Sequence, residues 1–501
     1  MKKILNIVIA FVIAFSAVGC KDYFDINYDP NIPATENITN SMILPGVEGA
    51  LATSYGDFLR ITGGYFSEHY AQTFGTSNYV GYSQFSMSAS QSSRLYTQLF
   101  QKVLVNSKTI MDRAVESKNY GDYIAAASLF AFTYQTLVDC YGEVPYTQAF
   151  DSDQYMAPAY DNGEVVYNGI LATLDDALSK VTEGQPVAKN LLYPGGNSTD
   201  WIKFANTVKL KILSRMSKVS NSQAALDALI ADDNFITSDA QYAGCWANAQ
   251  TQASPFYSEE FAPWHSQDNV VANAALVAAM QFGTYIDPRL GVWFKKNNSG
   301  KYVGAISGCN LGSTASSPYN SAAGLCRPNI TFDTPVSLIS VAEVEFFKSE
   351  YYAGKDNAKA EEHYKKAIKA SFASAGLTED DAEENIEMYP FDKDNSNECI
   401  GIAKWIALSG CNNFESWCEL RRLGYPEFGP VKGSDLWTGT DVNTSAVNAL
   451  IPGTIYTPYQ VFAQVGEGNV LERWPYADSS QSRNSNCPQF PGYTTPVFWA
   501  K

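Results

Sequence analysis

Trp246, Tyr257, Trp264, Trp293, Tyr302 and Tyr319 fall in one stretch of the chain together with Asn248, Gln267, Asp268 and Asn269. A flat apolar ring can lie on the C–H face of a pyranose, while planar amides and carboxylates bond its hydroxyls. That pairing suits recognition of a sugar. Trp246, Trp264, Asp268, Trp293 and Tyr319 are the candidate contacts here. Tyr79 and Tyr82, with Asn78, form a second candidate lip in an earlier Gly/Ser-rich stretch. The competing reading for each ring is burial in a core or under a loop.

Other chemistries find weaker support. A glycosidase needs two carboxylates about 5–10 Å apart across the scissile bond. Glu259, Glu260 and Asp268 lie near aromatics, but no spacing picks out a pair. No GxSxG is present, and His363 sits in a polar Glu-Glu-His run that reads as a solvated helix face. His69, His265 and His363 are the only histidines and no HExxH occurs, so a multi-histidine zinc site is not expected. Asp392–Asn397 hints at a calcium loop. It lacks the sixth-position Gly and has Ala403 where a bidentate Glu belongs, so the EF-hand reading fails. No cofactor is expected; a structural calcium elsewhere is left open.

The elements that must hold these residues are mostly helical. Asp122–Cys140 is Ala-rich with aromatics three and four apart, a buried helix stopped by Tyr141–Tyr146 with its Gly and Pro. Glu164–Val181 carries one apolar stripe. Asp200–Val219 starts on an apparent N-cap Asp and repeats Trp201, Phe204, Val208 and Ile212. Ser340–Tyr352 and Asn357–Phe372 form a helix–turn–helix whose Ala360, Tyr364 and Ala367 resemble the small/large alternation of a tetratricopeptide (TPR) pair. A further helix is expected over about 400–423. Between about 236 and 335 helices are brief and Gly, Ser, Asn and Pro frequent, the mark of binding loops carried on a scaffold. The fold class is therefore mainly α: TPR-like helix pairs with a long loop-rich insertion carrying short strands. No linker divides residues 46–501, which read as one body.

The 501 residues include 35 Lys+Arg against 52 Asp+Glu, a net charge of −17 that offers no basic surface to nucleic acid. Hydrophobic residues at 45% exclude disorder. The 31 tyrosines are the unusual feature; Tyr134, Tyr351, Tyr352 and Tyr364 fall on helix-packing positions. Lys2 and Lys3 precede an apolar run, Ile4–Phe15, that is too short to span a bilayer and reads as a signal peptide, residues 1–19. Ala17-Val18-Gly19-Cys20 resembles a bacterial lipobox, which implies lipidation of Cys20 and an extended tether to about Pro45. The alternative is an ordinary signal peptide cut nearby, with Cys20 a bystander. Export permits disulfides. Cys309 and Cys326, bracketing a Gly/Ser/Ala-rich loop, are the most plausible pair.

Several segments together resemble SusD/RagB-type lipoproteins of Bacteroidetes. Cys20-Lys21-Asp22-Tyr23-Phe24-Asp25 looks like their mature start, and Tyr141-Gly142-Glu143-Val144-Pro145-Tyr146 resembles their YGDVPY segment. Trp201–Asn206 with Leu210–Arg215, Asp287-Pro288-Arg289-Leu290, Ala342–Phe346, Glu415–Pro426 and Arg473–Tyr476 follow in the family's order. Thr207-Val208 and Leu423 depart from its usual residues at packing positions. The resemblance implies a TPR-containing, non-enzymatic glycan-binding lipoprotein. It would be lipid-anchored to the outer membrane, face the cell surface and cap a SusC-like TonB-dependent transporter. It does not say which glycan, because specificity loops vary. Arg289, in a family-wide segment, reads as a structural ion-pair partner. A TPR lipoprotein that binds a peptide or protein is the alternative, with glycoside hydrolysis behind it.

Overall fold

In the computed structural model of the chain the described residues are 38–500, apart from 74, 221, 266, 268 and 310–314. The signal peptide, Cys20 and most of the expected tether therefore lie outside the described residues. The first helix starts at Asn40, not after Pro45, and runs through a π-helical turn at Tyr55–Leu59 into Arg60–Phe66. A second such turn, Leu99–Leu104, joins Ala89–Gln98 to Val105–Ser117. The expected Ala-rich helix is Tyr120–Tyr141, with every residue from Gly121 onward buried. The Asn119 side chain caps its start. Helices Val105–Ser117, Gly163–Lys180 and Ser198–Met216 pack around it. An all-round apolar helix can only persist when so enclosed.

The helix pair Val341–Tyr352 and Asn357–Ser374 turns at Ala353–Asp356, as the pattern predicts. Ser340 and Glu343 form a reciprocal capping box at its start. Ala360, Tyr364 and Ala367 are buried between the helices. Three expectations are corrected. The Ser198–Met216 helix is capped by the Asn197 side chain, which accepts from Thr199 N; Asp200 lies inside the first turn. The single helix over 400–423 is two, Ser396–Leu408 and Asn413–Leu423. The chain turns there because a Cβ at Gly410 would lie 2.1 Å from the Trp293 ring, and Asn412 then caps the next helix. His363 is half-buried rather than solvated. Its Nδ1 meets Glu345 at 2.6 Å and its ring stacks on Tyr352. The helix Glu379–Met388, too polar to announce itself, closes this region.

Strands occur only in two-stranded sheets among the described residues, and two of these fix the insertion. Ala240–Tyr242 pairs antiparallel with Val336–Ile339, clamping its two ends together. Val270–Ala272 pairs with Tyr70–Gln72, Tyr70 opposite Ala272, which ties its middle to the end of the first long helix. Cys309 and Cys326 are both free, so the expected disulfide is not formed. The Cys326 thiol serves the backbone instead, accepting from Val303 N and donating to the Lys301 carbonyl.

Where helices 120–141, 198–216, 341–352, 396–408 and 413–423 meet, three acids and four bases are buried together, with a half-buried fourth acid, Glu350, at the edge. Arg215 pairs with Asp139 and Glu415; Lys211 reaches Glu415 at 2.6 Å. Glu419 takes Lys404 at 2.7 Å and Arg422 at 2.6 Å, and Arg422 continues to Glu350. Burial alone would push the Glu419 carboxyl up, but Arg422 and Lys404 outweigh it and hold it well below the usual range. The helix Arg60–Phe66 approaches Asn413–Leu423 so closely that a Cβ at Gly63 would lie 2.4 Å from Phe414 Cα. Glu415→Ala leaves Lys211 and Arg215 buried without their shared partner, and it should cost about 3–5 kcal/mol in urea denaturation. Asp112→Ala, which breaks the exposed Lys108–Asp112 pair, should shift the same measurement by no more than about 0.5 kcal/mol. Equal effects would show that the buried network carries no special weight.

Candidate functional site

The strand pair 70–72/270–272 brings the two sequence-predicted regions face to face. Thr73 N donates to Asn269 O at 2.9 Å, continuing the pairing beyond the strands. Tyr79 OH then donates to Glu260 Oε1 at 2.6 Å, and Asn78 Nδ2 to Gln267 Oε1 at 3.1 Å. Glu260 also accepts from Asn269 N at 2.9 Å and Asn269 Nδ2 at 3.3 Å. It is a fully buried clasp between the 78–82 lip and the 257–269 loop. Asp268 lies outside the described residues.

The rings of the lip are layered. Tyr79, half-buried, stacks on Tyr82 with centroids 5.6 Å apart and planes at 17°. Tyr82 is buried beneath it, edge-on to Phe58 and Phe66, so it supports the lip more than it presents a face. Across the clasp, half-buried Trp264 meets Tyr257 edge-on at 6.0 Å. Tyr79, Asn78 and Gln267 thus meet across the clasp as an amphipathic rim, with Trp264 on the same 257–269 loop as Gln267.

The ionisable groups beneath the rim are tuned by burial. Burial raises the Glu260 carboxyl against the lowering effect of the Tyr79 and Asn269 bonds. Burial likewise pushes Asp57 up to about 7, with Arg94 pulling it down and Glu259 adding to the rise. The phenols of Tyr79 and Tyr82 are driven upward by the same desolvation and stay protonated donors. Glu260, with donors on both oxygens, is a poor proton donor for a glycosidic oxygen. Arg94 and Asp57 were not legible as part of this site. They sit on helices 37 residues apart, with no local pattern linking them.

The remaining candidates lie elsewhere. Trp293 is half-buried against Gly410, with the Arg289 guanidinium 5.6 Å from its ring centroid. It lines two adjoining cavities of 180 and 100 Å³, with Thr334, Pro335 and Ser374 common to both. Arg60, missed in the sequence, lines the larger one and donates to the Gly410 carbonyl at 3.4 Å. Both fall below the roughly 300 Å³ of ordinary ligand pockets, so this cleft has room for little more than one ring. Phe256 links cleft and lip, stacking on Tyr70 at 5.7 Å and meeting Phe261 edge-on. Trp246 spends its indole N–H on the Tyr242 carbonyl at 3.0 Å. Tyr319 is 5% exposed and has no open face, so loop packing, not ligand contact, accounts for it. Asp392 folds back on Asp394 N and Asn395, closing the loop that hinted at calcium. Among the described residues no group of three or more His, Cys, Asp or Glu is placed to hold a metal.

Glu260→Gln keeps one acceptor and sets an amide against the Asn269 donors. It should lower stability by about 1–3 kcal/mol and speed amide exchange at 79–82 and 257–269. Unchanged exchange in both segments would remove Glu260 as the clasp.

Residues 35–440 match SusD-like_2, described as starch-binding and associating with the outer membrane. No curated protein matches the chain. Among solved structures, a chitin-binding protein superposes with a TM-score of 0.71 at 19% identity, covering 92% of this chain and 100% of its own. A SusD homologue from Bacteroides uniformis gives 0.70 at 20% identity, with coverage of 91% and 99%. A SusD/RagB family protein from Bacteroides thetaiotaomicron gives 0.69 at 20%, with coverage of 92% and 99%. At such identities these likenesses speak to the fold alone, and they agree with its mainly helical architecture. No helix among the described residues is long and apolar enough to cross a membrane. Matched over most of its length, with the helical fold of its structural neighbours, the chain belongs to the SusD-like family.

Proposed function

We propose that this protein binds a glycan at the cell surface and hands it to a SusC-like TonB-dependent transporter that it caps. Residues 1–19 act as the signal peptide and Cys20 as the lipid anchor to the outer membrane. Residues 20–39 are the tether, and a single body whose helix pairs are of TPR type follows from the helix that starts at Asn40. The observation that carries the binding reading is the rim itself. Two half-buried rings, Tyr79 and Trp264, are carried by the two distant segments that the clasp joins, with the bonded amides of Asn78 and Gln267 in the same segments. Ring faces stack on sugar C–H groups and the amides of Asn78 and Gln267 reach hydroxyls. The chitin-binding neighbour agrees with a carbohydrate ligand without naming this one. Catalysis is not part of the proposal, because the nominated acid Glu260 is spent as a clasp.

A glycan-array and calorimetric screen of the 21–501 fragment identifies the ligand. With that glycan, Trp264→Ala and Tyr79→Ala should each weaken affinity by about 1–3 kcal/mol, and Trp293→Ala should do so only if a sugar ring enters its cleft. Unchanged isotherms for both rim variants would refute the rim as the binding edge. A day's incubation should release no new reducing ends.

Affinity capture of the full-length chain from detergent-solubilised outer membrane should recover a large TonB-dependent barrel. Cys20→Ser should release the chain from the membrane fraction. Absence of any barrel would sink the transporter-cap reading, and a membrane-bound Cys20→Ser chain would sink the anchor.

A further inference from the structure

A cavity of about 380 Å³ contains none of the residues discussed as sugar contacts. It lies between the helices 357–374, 379–388 and 396–408, closed on one side by Pro452. Ile368, Met388, Ile402, Ala403 and Ile406 give it aliphatic walls. Its volume is within the range of sites that bury a small group from solvent.

The polar groups in it are mostly acceptors. Asn385 is 2% exposed and donates through Nδ2 to Tyr285 OH and Asp287; its Oδ1 takes no hydrogen bond among the described residues. Asp392 and Glu398 supply two exposed carboxylates at the cavity's edge. Bonds from Asn395 and from backbone N–H groups hold Asp392 below its usual range, hence charged. The one cation in the lining, Arg289, is already committed: three contacts to Asp287 and one to Ser371. The cavity therefore offers aliphatic walls, a deep unpaired acceptor and, at its edge, the Glu398 carboxylate beside an Asp392 already bonded by Asn395 and backbone N–H groups. Its chemical complement is a long aliphatic stem ending in a donor-rich cation.

The surroundings indicate that the stem belongs to a protein. Exposed large hydrophobics are few, and two sit beside this cavity. Phe282, 50% exposed, packs edge-on to the cavity residue Tyr389 at 6.3 Å. Ile451, 65% exposed, adjoins Pro452. A free amine would have no use for such a fringe, whereas a docked segment would cover it. We propose that this cavity is a docking socket for a partner protein segment, which inserts one lysine or arginine side chain and lays flanking apolar residues on Phe282 and Ile451. The socket is independent of the rim at Tyr79 and Trp264.

The test titrates the 21–501 fragment by calorimetry with the capped peptides Ac-Ile-Lys-Phe-NH2 and Ac-Ile-Arg-Phe-NH2. The controls are Ac-Ile-norleucine-Phe-NH2 and free n-butylamine. At least one basic peptide should bind with a millimolar or lower Kd, about tenfold or more tighter than either control. Glu398→Lys should weaken it by at least about tenfold, and Ala403→Trp, which fills the cavity, should abolish binding. Phe282→Ser should weaken the peptide and leave butylamine unchanged. Thermal melts report whether each variant is folded, and an Asp392→Asn/Glu398→Gln double variant provides a milder removal of charge if Glu398→Lys melts early. No binding of either basic peptide up to about 10 mM would overturn the proposal. So would undiminished binding to folded Ala403→Trp, or butylamine binding as tightly as the peptides.

Discussion

Arg215, fully buried, is the interaction on which the helix array depends. Its guanidinium joins Asp139 from one helix to Glu415 from another, and Glu415 in turn holds Lys211. Asp139 also accepts from the Trp499 indole at 2.8 Å, so the C-terminus closes over the same charge. Isolated ions at such a depth would each cost several kcal/mol in lost hydration. They persist because each has a partner of opposite sign, and removing one strands the others. The network therefore contributes less to net stability than to orientation: it permits one arrangement of five helices and penalises slippage of any of them. A core of aliphatic side chains alone would tolerate far more repacking.

The same network explains which segments of the sequence spoke most clearly. Lys211 and Arg215, and Glu415 with Glu419 and Arg422, all lie in the segments that resemble the SusD-like family. So does Arg473, whose side chain binds Glu143 of the Tyr141–Tyr146 segment at 3.0 Å. Those segments are alike because they build the scaffold, and for that reason they say nothing of the ligand. The rim residues Tyr79, Trp264 and Gln267 belong to none of them. A scaffold held by buried charge can carry a loop insertion pinned by strand pairs and by side-chain bonds such as Arg289–Ser371, leaving its exposed loops free to change.

Helix existence was legible wherever periodicity was strong, as at Tyr120–Tyr141 and in the pair 341–352/357–374. Boundaries were lost where a tertiary contact decided them. The break at Gly410 answers to the Trp293 ring, which is more than a hundred residues away. Cys309 and Cys326 looked like a bridge because sequence shows only the loop between them; the structure shows the Cys326 thiol used as a backbone partner. Of the candidate site, the stretches 78–82 and 257–269 were named, but their juxtaposition was not visible. The clasp between Tyr79 and Glu260 depends on pairing across 181 residues. The aliphatic cavity left no trace at all, since its walls come from ordinary helix-packing residues.

Arg289 stands between the Trp293 cleft and the aliphatic cavity. It lies over Trp293, which lines the small cleft, and it also lines the large cavity. Asp287 and Ser371 hold its donors, the Phe372 ring lies 4.4 Å from it, and Asn385 shares the Asp287 carboxylate. A side chain fixed from so many directions behaves as a wall. Ligands in the cleft and in the cavity would then meet a rigid divider, and neither could signal to the other by a simple swing of Arg289. Adaptation on each side falls to what is exposed: the rim loops on one, and Phe282 and Ile451 on the other. Two binding functions can thus share one scaffold without competing for the residues that hold it together.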